Sequence, residues 1–141
     1  MDNFWRNYWS AYGPSDATNE DDLFQQVAHT VNKRPIPNDL VVRMLKHIVD
    51  LLKLVPQDHL MDFCCGNGLF SYELATHVSQ VTGIDFAERN IRTSQLLKPR
   101  NNIHYIVGDV TAPLVSIVDS DSLPNKFLMH YSSLLSGYRG G

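Results

Sequence analysis

Three aspartates and two glycines in this chain have the types and spacing to hold a nucleotide-like ligand. Asp62 precedes the turn Cys64-Cys65-Gly66-Asn67-Gly68, which leads into Leu69-Phe70-Ser71-Tyr72-Glu73-Leu74-Ala75. Glycines let the backbone turn sharply and approach a ligand closely. The first turn of the helix that follows presents N–H groups without intrahelical partners. Alone, Gly-x-Gly also marks an ordinary strand-to-helix turn. Asp85 stands 17 residues after Gly68. A carboxylate there accepts from both hydroxyls of a ribose, a geometry no other side chain offers without a donor. Asp109 is placed to accept from an exocyclic amino group such as that of adenine, with Phe86 and Val110 as apolar neighbours for a flat ring. Asp62 would receive a ligand ammonium, directly or through water. Any one of these acids could be a turn residue or a helix cap. Three at successive strand ends are harder to produce by accident.

Those residues work together only if the chain gathers them. A strand is expected over 59–64, a helix over 69–78 and a second strand over Gln80–Asp85. A helix over 87–97 follows, with Pro99 beyond its end, and then a third strand, Ile103–Val107, closing in Gly108-Asp109. Strand and helix alternating with short links predict an α/β fold, a parallel sheet with helices on its faces. Such sheets bind ligands beyond the carboxyl ends of their strands. The glycine turn, Asp85 and Asp109 all fall there.

Upstream, Leu40, Val41, Met44, Leu45, Ile48, Leu51, Leu52 and Val55 recur at helical spacing. They predict an amphipathic helix over 39–54, capped by Asn38 and stopped by Pro56. His47 within it reads as a surface residue. Glu20-Asp21-Asp22 opens a shorter helix through Leu23, Phe24, Val27 and Ala28, since acids in a first turn suit the helix dipole. Lys33-Arg34-Pro35-Ile36-Pro37 ends it. Phe4, Trp5, Tyr8, Trp9 and Tyr12 would line one side of a helix. A helix packed onto the domain is the favoured reading, and an aromatic lid over a ligand is the other.

The segments Asp62-Phe63-Cys64-Cys65-Gly66-Asn67-Gly68, Val81-Thr82-Gly83-Ile84-Asp85-Phe86-Ala87 and Ile106-Val107-Gly108-Asp109-Val110 resemble motifs I, post-I and II of the class I S-adenosylmethionine-dependent methyltransferases. The resemblance runs over about residues 58–111 and implies a Rossmann-like, mainly parallel sheet. By position it assigns Asp62 to the cofactor's amino group. Gly66 and Gly68 would lie along its methionine moiety, Asp85 at the ribose hydroxyls and Asp109 at the adenine amine, with Val110 offering a backbone N–H to the ring. Cys64 stands where the pattern has its first glycine, so its side chain must point away from the ligand or narrow the site. A nicotinamide dinucleotide enzyme would want Gly-x-Gly-x-x-Gly. The third position here is Ser71, and the lost glycine removes tight helix–strand packing below a pyrophosphate.

The resemblance implies methyl transfer to a small molecule by in-line displacement, with S-adenosylmethionine as cofactor. The alternative is a non-catalytic S-adenosylmethionine-binding domain that needs a partner chain. The expected organisation is an N-terminal helical extension (1–56), a cofactor-binding core (57–131) and a flexible tail (132–141). Phe127-Leu128-Met129-His130-Tyr131 reads as a fourth strand, and the C-terminal half of the family's sheet is not recognisable. An exposed edge there would invite a second copy or a complementing chain. His130 and Tyr131 lie where a substrate could be met, without being assigned a catalytic role.

Composition narrows the classes. With 141 residues and 43% hydrophobic content, one packed domain is expected. Net charge is −3 with no basic stripe, which argues against a nucleic-acid partner. No apolar run reaches the roughly 18 residues of a membrane span, and Met1-Asp2-Asn3-Phe4-Trp5-Arg6 lacks the basic region and apolar core of a signal peptide. The only cysteines, Cys64 and Cys65, are adjacent, a poor disulfide pair and no zinc site. They suit a reducing, cytoplasmic compartment, where they would serve as small apolar filler.

Overall fold

Strand residues of alternating direction, in parallel register, give the sheet one face for its helices. The computed structural model describes residues 4, 7–8, 11–13, 16–27, 30–31, 34–111 and 120–129. Its elements are α1 (Glu20–Gln26), β1 (Thr30–Val31), β2 (Arg34–Pro35), α2 (Asn38–Leu52), β3 (His59–Phe63), α3 (Leu69–Leu74), β4 (Gln80–Asp85), α4 (Glu88–Leu97), β5 (Ile103–Val107), a 3-10 turn at Ser120–Ser122 and β6 (Lys126–Met129). The main sheet has four strands in the order β5-β4-β3-β6. All its pairs are parallel, with Leu60 opposite Val81 and Lys126, and Val81 opposite Ile103. β1 and β2 form a separate antiparallel pair. This is the α/β, Rossmann-like arrangement expected, with α3 between β3 and β4 and α4 between β4 and β5.

Leu60 and Val81 point to one face, where they meet Phe70, Leu74, Ala75 and Val78 in a buried cluster. Met44, Leu45, Ile48, Val49 and Leu52 of α2 pack onto it. Each aliphatic side chain fully withdrawn from water contributes about 1.5–3 kcal/mol, so this cluster is the main source of cohesion around the sheet.

Several boundaries differ from expectation for local reasons. Asn38 is not the cap of α2 but its first residue. Pro37 occupies the cap position without a side-chain bond. Its carbonyl accepts from Leu40 N at 2.9 Å and Val41 N at 3.2 Å. The helix stops at Leu52, before Pro56, because Lys53 turns left-handed at φ 51°. Leu54 N then reaches back to Val49 O at 3.1 Å. Leu51 and Val55 leave the apolar face and are exposed. α3 ends at Leu74 instead of 78, where the chain tightens to Thr76 N→Glu73 O and His77 N→Leu74 O. Asn102 Nδ2 donates to Ala75 O at 2.8 Å and so satisfies one of the helix's terminal carbonyls.

α1 carries the expected acidic first turn, and its cap is Asn19, whose Oδ1 accepts from Asp22 N at 2.9 Å. Phe4, Asn7, Tyr8 and Ala11 are helical. The Phe4 and Tyr8 rings stack with centroids 6.4 Å apart, as their spacing predicts. Phe4 is 60% and Tyr8 38% exposed, so these two rings pack on each other and do not enter the core. Trp5, Trp9, Ala28, His130, Tyr131 and the tail 132–141 lie outside the described residues. The fourth strand runs Lys126–Met129 beside β3. Among the described residues, no helix is long and apolar enough to cross a membrane.

Candidate functional site

The site is built where β3, β4 and β5 end. After Phe63 the chain turns through Cys64 (φ 58°), Gly66 (φ 59°) and Gly68 (φ 82°), all left-handed. Cys65 N donates to Ile84 O at 3.0 Å, which fixes the turn against β4. For a residue with a Cβ the left-handed conformation costs about 1–2 kcal/mol. Cys64 therefore keeps a glycine's backbone without being one. Its neighbour Cys65 is buried, and burial first, then the nearby Asp85 and Asp62, push its thiol up. A thiol so raised is not a nucleophile at neutral pH.

Asp85 is gripped by the backbone through both oxygens. Gly66 N donates to Oδ2 and Ala87 N to Oδ1, each at 2.9 Å. Asp85 is only 6% exposed. Gly108 N donates to the Asp85 carbonyl at 3.0 Å, so the end of β5 lies beside the same residue. Asp109, which follows, accepts at Oδ1 from Thr111 N at 2.9 Å and Thr111 Oγ1 at 2.7 Å. It is half-buried, as are Phe86 and Val110. The structure thus joins Gly66 to Asp85 by a hydrogen bond and sets Asp109 one residue from an Asp85 contact.

Asp62 is placed differently. It is fully buried, and Ser71 Oγ donates to its Oδ2 at 2.5 Å. It ties α3 to the end of β3 from inside the fold. The two remaining glycine-turn contacts explain why larger residues are excluded. A Cβ on Gly68 would lie 2.6 Å from Tyr105 Oη, and one on Gly66 would lie 2.6 Å from Val27 Cγ1. Tyr105 Oη donates to Lys98 O at 2.7 Å, and burial pushes that phenol's pKa up.

Asn67 was not singled out by its sequence context, yet it is fully buried in the turn. Its Nδ2 donates to Leu23 O at 2.8 Å and to Gln26 Oε1 at 3.0 Å. Arg89 Nη2, in the first turn of α4, donates to Tyr12 O. The N-terminal segment is therefore attached to both elements that rise from the carboxyl ends of β3 and β4. The available signals were a polar residue between two glycines and a glutamine on the otherwise apolar side of α1. Among the described residues, no group of three His, Cys, Asp or Glu side chains could hold a metal ion.

A parallel sheet of this order, with a glycine turn hydrogen-bonded to an acid at the next strand end, is a Rossmann-like arrangement. A sequence model of the family "Methyltransferase domain" matches residues 60–123. Over that segment the chain is similar to methyltransferase domains. A 23S rRNA (uracil(1939)-C(5))-methyltransferase of Marinomonas sp. is 29% identical over 75 residues, 51% of this chain. The same-named enzyme of Francisella tularensis subsp. novicida is 26% identical over 68 residues, 48% of this chain and 15% of its own length. Among solved structures, the YcgJ protein from Bacillus subtilis superposes with a TM-score of 0.55 at 14% identity, over 64% of this chain and 38% of that one. A dimethyladenosine transferase from Plasmodium falciparum gives 0.50 at 21% identity, over 67% and 35%. At such identities the structural likeness establishes the fold. The chain spans only 17% of the length of the Marinomonas relative.

Proposed function

We propose that this chain binds S-adenosylmethionine at the carboxyl ends of β3, β4 and β5 and serves methyl transfer to a small-molecule acceptor. The observation that carries the reading is the Gly66 N–H to Asp85 Oδ2 bond, which makes the turn and the acid one preorganised unit. Two backbone donors fix the plane of the Asp85 carboxylate, so the acid is oriented before a diol arrives. Asp109, with Phe86 and Val110, is the candidate holder of the adenine, and Gly66 and Gly68 are the candidate neighbours of the methionine end. Asp62 would act on the ammonium through the turn or through water, since it is buried behind Ser71. Cys64, at the first glycine position of the motif, borders the same turn.

The cofactor supplies a methyl group activated on a sulfonium. The chain's part is to hold that group in line with an oxygen or nitrogen nucleophile and to keep the two aligned. The acceptor argument rests on charge. The chain carries −3. A polyanion needs cations to replace its counterions, and the sequence has no basic stripe to supply them. The adjacent cysteines, which form no disulfide, suit a reducing, cytoplasmic setting.

Calorimetric titration of the folded chain with S-adenosylhomocysteine tests the cofactor half. Wild type should bind, and Asp85→Ala should weaken binding at least about tenfold, since hydrogen bonds to a charged acceptor are worth about 1.5–3 kcal/mol each. No binding by folded wild type would sink the reading. Release of S-adenosylhomocysteine with small hydroxyl or amine acceptors supports the acceptor half. Methylation of RNA alone would overturn it.

A further inference from the structure

We propose that residues 16–27, with Tyr12, form a cover over the cofactor crevice, and that Asn67 is the latch that couples this cover to cofactor residence. The proposal rests on the cofactor reading given above and adds a moving part to it. Its basis is the pattern of attachment. Asn67 lies between the two glycines of the turn, and both of its amide hydrogens go to α1, at Leu23 O and Gln26 Oε1. Its own Oδ1 is buried and finds no hydrogen-bond partner. The side chain is thus oriented for α1 and gains little from anything else around it. Arg89 holds Tyr12 O from the neighbouring strand end, and Lys98 Nζ meets Glu20 Oε1 at 3.0 Å. Val27 closes the row against Gly66.

The named attachments are mostly polar, with buried Leu23 and Val27 against Gly66 as the apolar ones. α1 has seven residues, and its buried residues are Leu23 and Gln26. A helix this short has no stability of its own in water, so its order depends on the docking contacts. Segments held by a handful of hydrogen bonds open locally long before the core does. Every anchor named also sits on an element that the candidate cofactor residues belong to or adjoin. Gly66, which Val27 covers, is the residue whose N–H holds Asp85. A ligand that stiffens the glycine turn therefore stiffens the platform on which α1 rests. Conversely, an undocked α1 leaves the crevice open for exit.

Asn67 is a positioning residue in this scheme, and its effect should fall on rates and local opening. Hydrogen exchange of the ligand-free chain is the first measurement. Asn67→Ala should accelerate exchange of the amides in 20–27 at least about tenfold and leave β3, β4 and β5 protected. Arg89→Met loosens the same segment from its other side and should act in the same direction, so the test survives if one variant does not fold. The second measurement is the dissociation rate of S-adenosylhomocysteine by stopped flow, expected to rise about tenfold in either variant. Bound S-adenosylhomocysteine should also slow exchange of 20–27 in wild type. Ligand binding that leaves 20–27 exchanging as before, or variants with unchanged dissociation, would overturn the cover. Absence of binding to wild type in calorimetry would instead overturn the cofactor reading itself.

Discussion

α1 and α2 approach the same third helix, α3, and are fastened by opposite means. α2 presents Met44, Leu45, Ile48, Val49 and Leu52 to the buried cluster around Leu60, Phe70 and Leu74. α1 is tied by Asn67 to Leu23 O and Gln26 Oε1 and by Lys98 to Glu20. Between the two helices remains a cavity of about 250 Å³, lined by Phe24, Val41, Leu45, Leu69 and Phe70 among others. Apolar burial is proportional to area and has no preferred direction, so α2 is held wherever its face is covered. Hydrogen bonds are directional, and each is worth only about 0.5–1.5 kcal/mol net. α2 lies along the core with a broad, partly buried apolar face. α1 is placed by directed bonds around one buried leucine, Leu23.

The sharpest way to break that contrast is to injure the apolar side. Leu74→Ala empties a fully buried position and should destabilise the whole chain by about 2–5 kcal/mol, read by denaturant titration. If only the N-terminal segment loosened, the division would be wrong. Gly66→Ala tests the junction. Its φ of +59° and the Val27 methyl group 2.6 Å from the added Cβ should cost about 1–2 kcal/mol and displace α1 before the sheet. Exchange protection lost in 20–27 but kept in β4 would show it.

A third test concerns the lower rim of the sheet, away from α1. Burial holds the His59 imidazole below its ordinary pKa, and its Nε2 lies 2.8 Å from Thr82 Oγ1. The unfolded chain then takes up a proton that the folded chain refuses. Stability should fall as pH drops below about 6.5, and His59→Gln should flatten that fall in thermal melts. Asp58 has the opposite charge and the same consequence. The Val55 N–H and then Asn125 hold its carboxyl below the usual range. Its contribution is present above about pH 4 and is lost as the carboxylate protonates below that. The smallest effects are expected at Cys64 and on the surface. Cys64→Gly removes left-handed strain but adds freedom to the unfolded chain, so melting should shift by less than about 1 kcal/mol equivalent. Lys46→Ala breaks an exposed pair with Asp50 and should change stability by a few tenths of a kcal/mol.

The sheet was legible because its signals are local. Three apolar runs of strand length, two helical spacers and a glycine turn suffice to order β3, α3, β4, α4 and β5. The acids at the strand ends were legible for the same reason. What escaped depends on contacts distant in sequence. Asn67 and Leu23 are 44 positions apart, and no periodicity announces their bond. The burial of Asp62 behind Ser71 is set by the packing of α3 onto β3, which spacing alone leaves open. The early end of α2 follows from a left-handed lysine, a conformation that sequence reading reserves for glycine or asparagine.

Ser71 has a consequence for how cofactor preference could change over evolutionary time. In sequence it was the residue that failed a dinucleotide pattern. In three dimensions its hydroxyl is a donor to a fully buried carboxylate. A single exchange to glycine would meet the dinucleotide pattern and, in the same step, take that donor away from Asp62. A change of pattern at this turn therefore acts on Ser71 and Asp62 together.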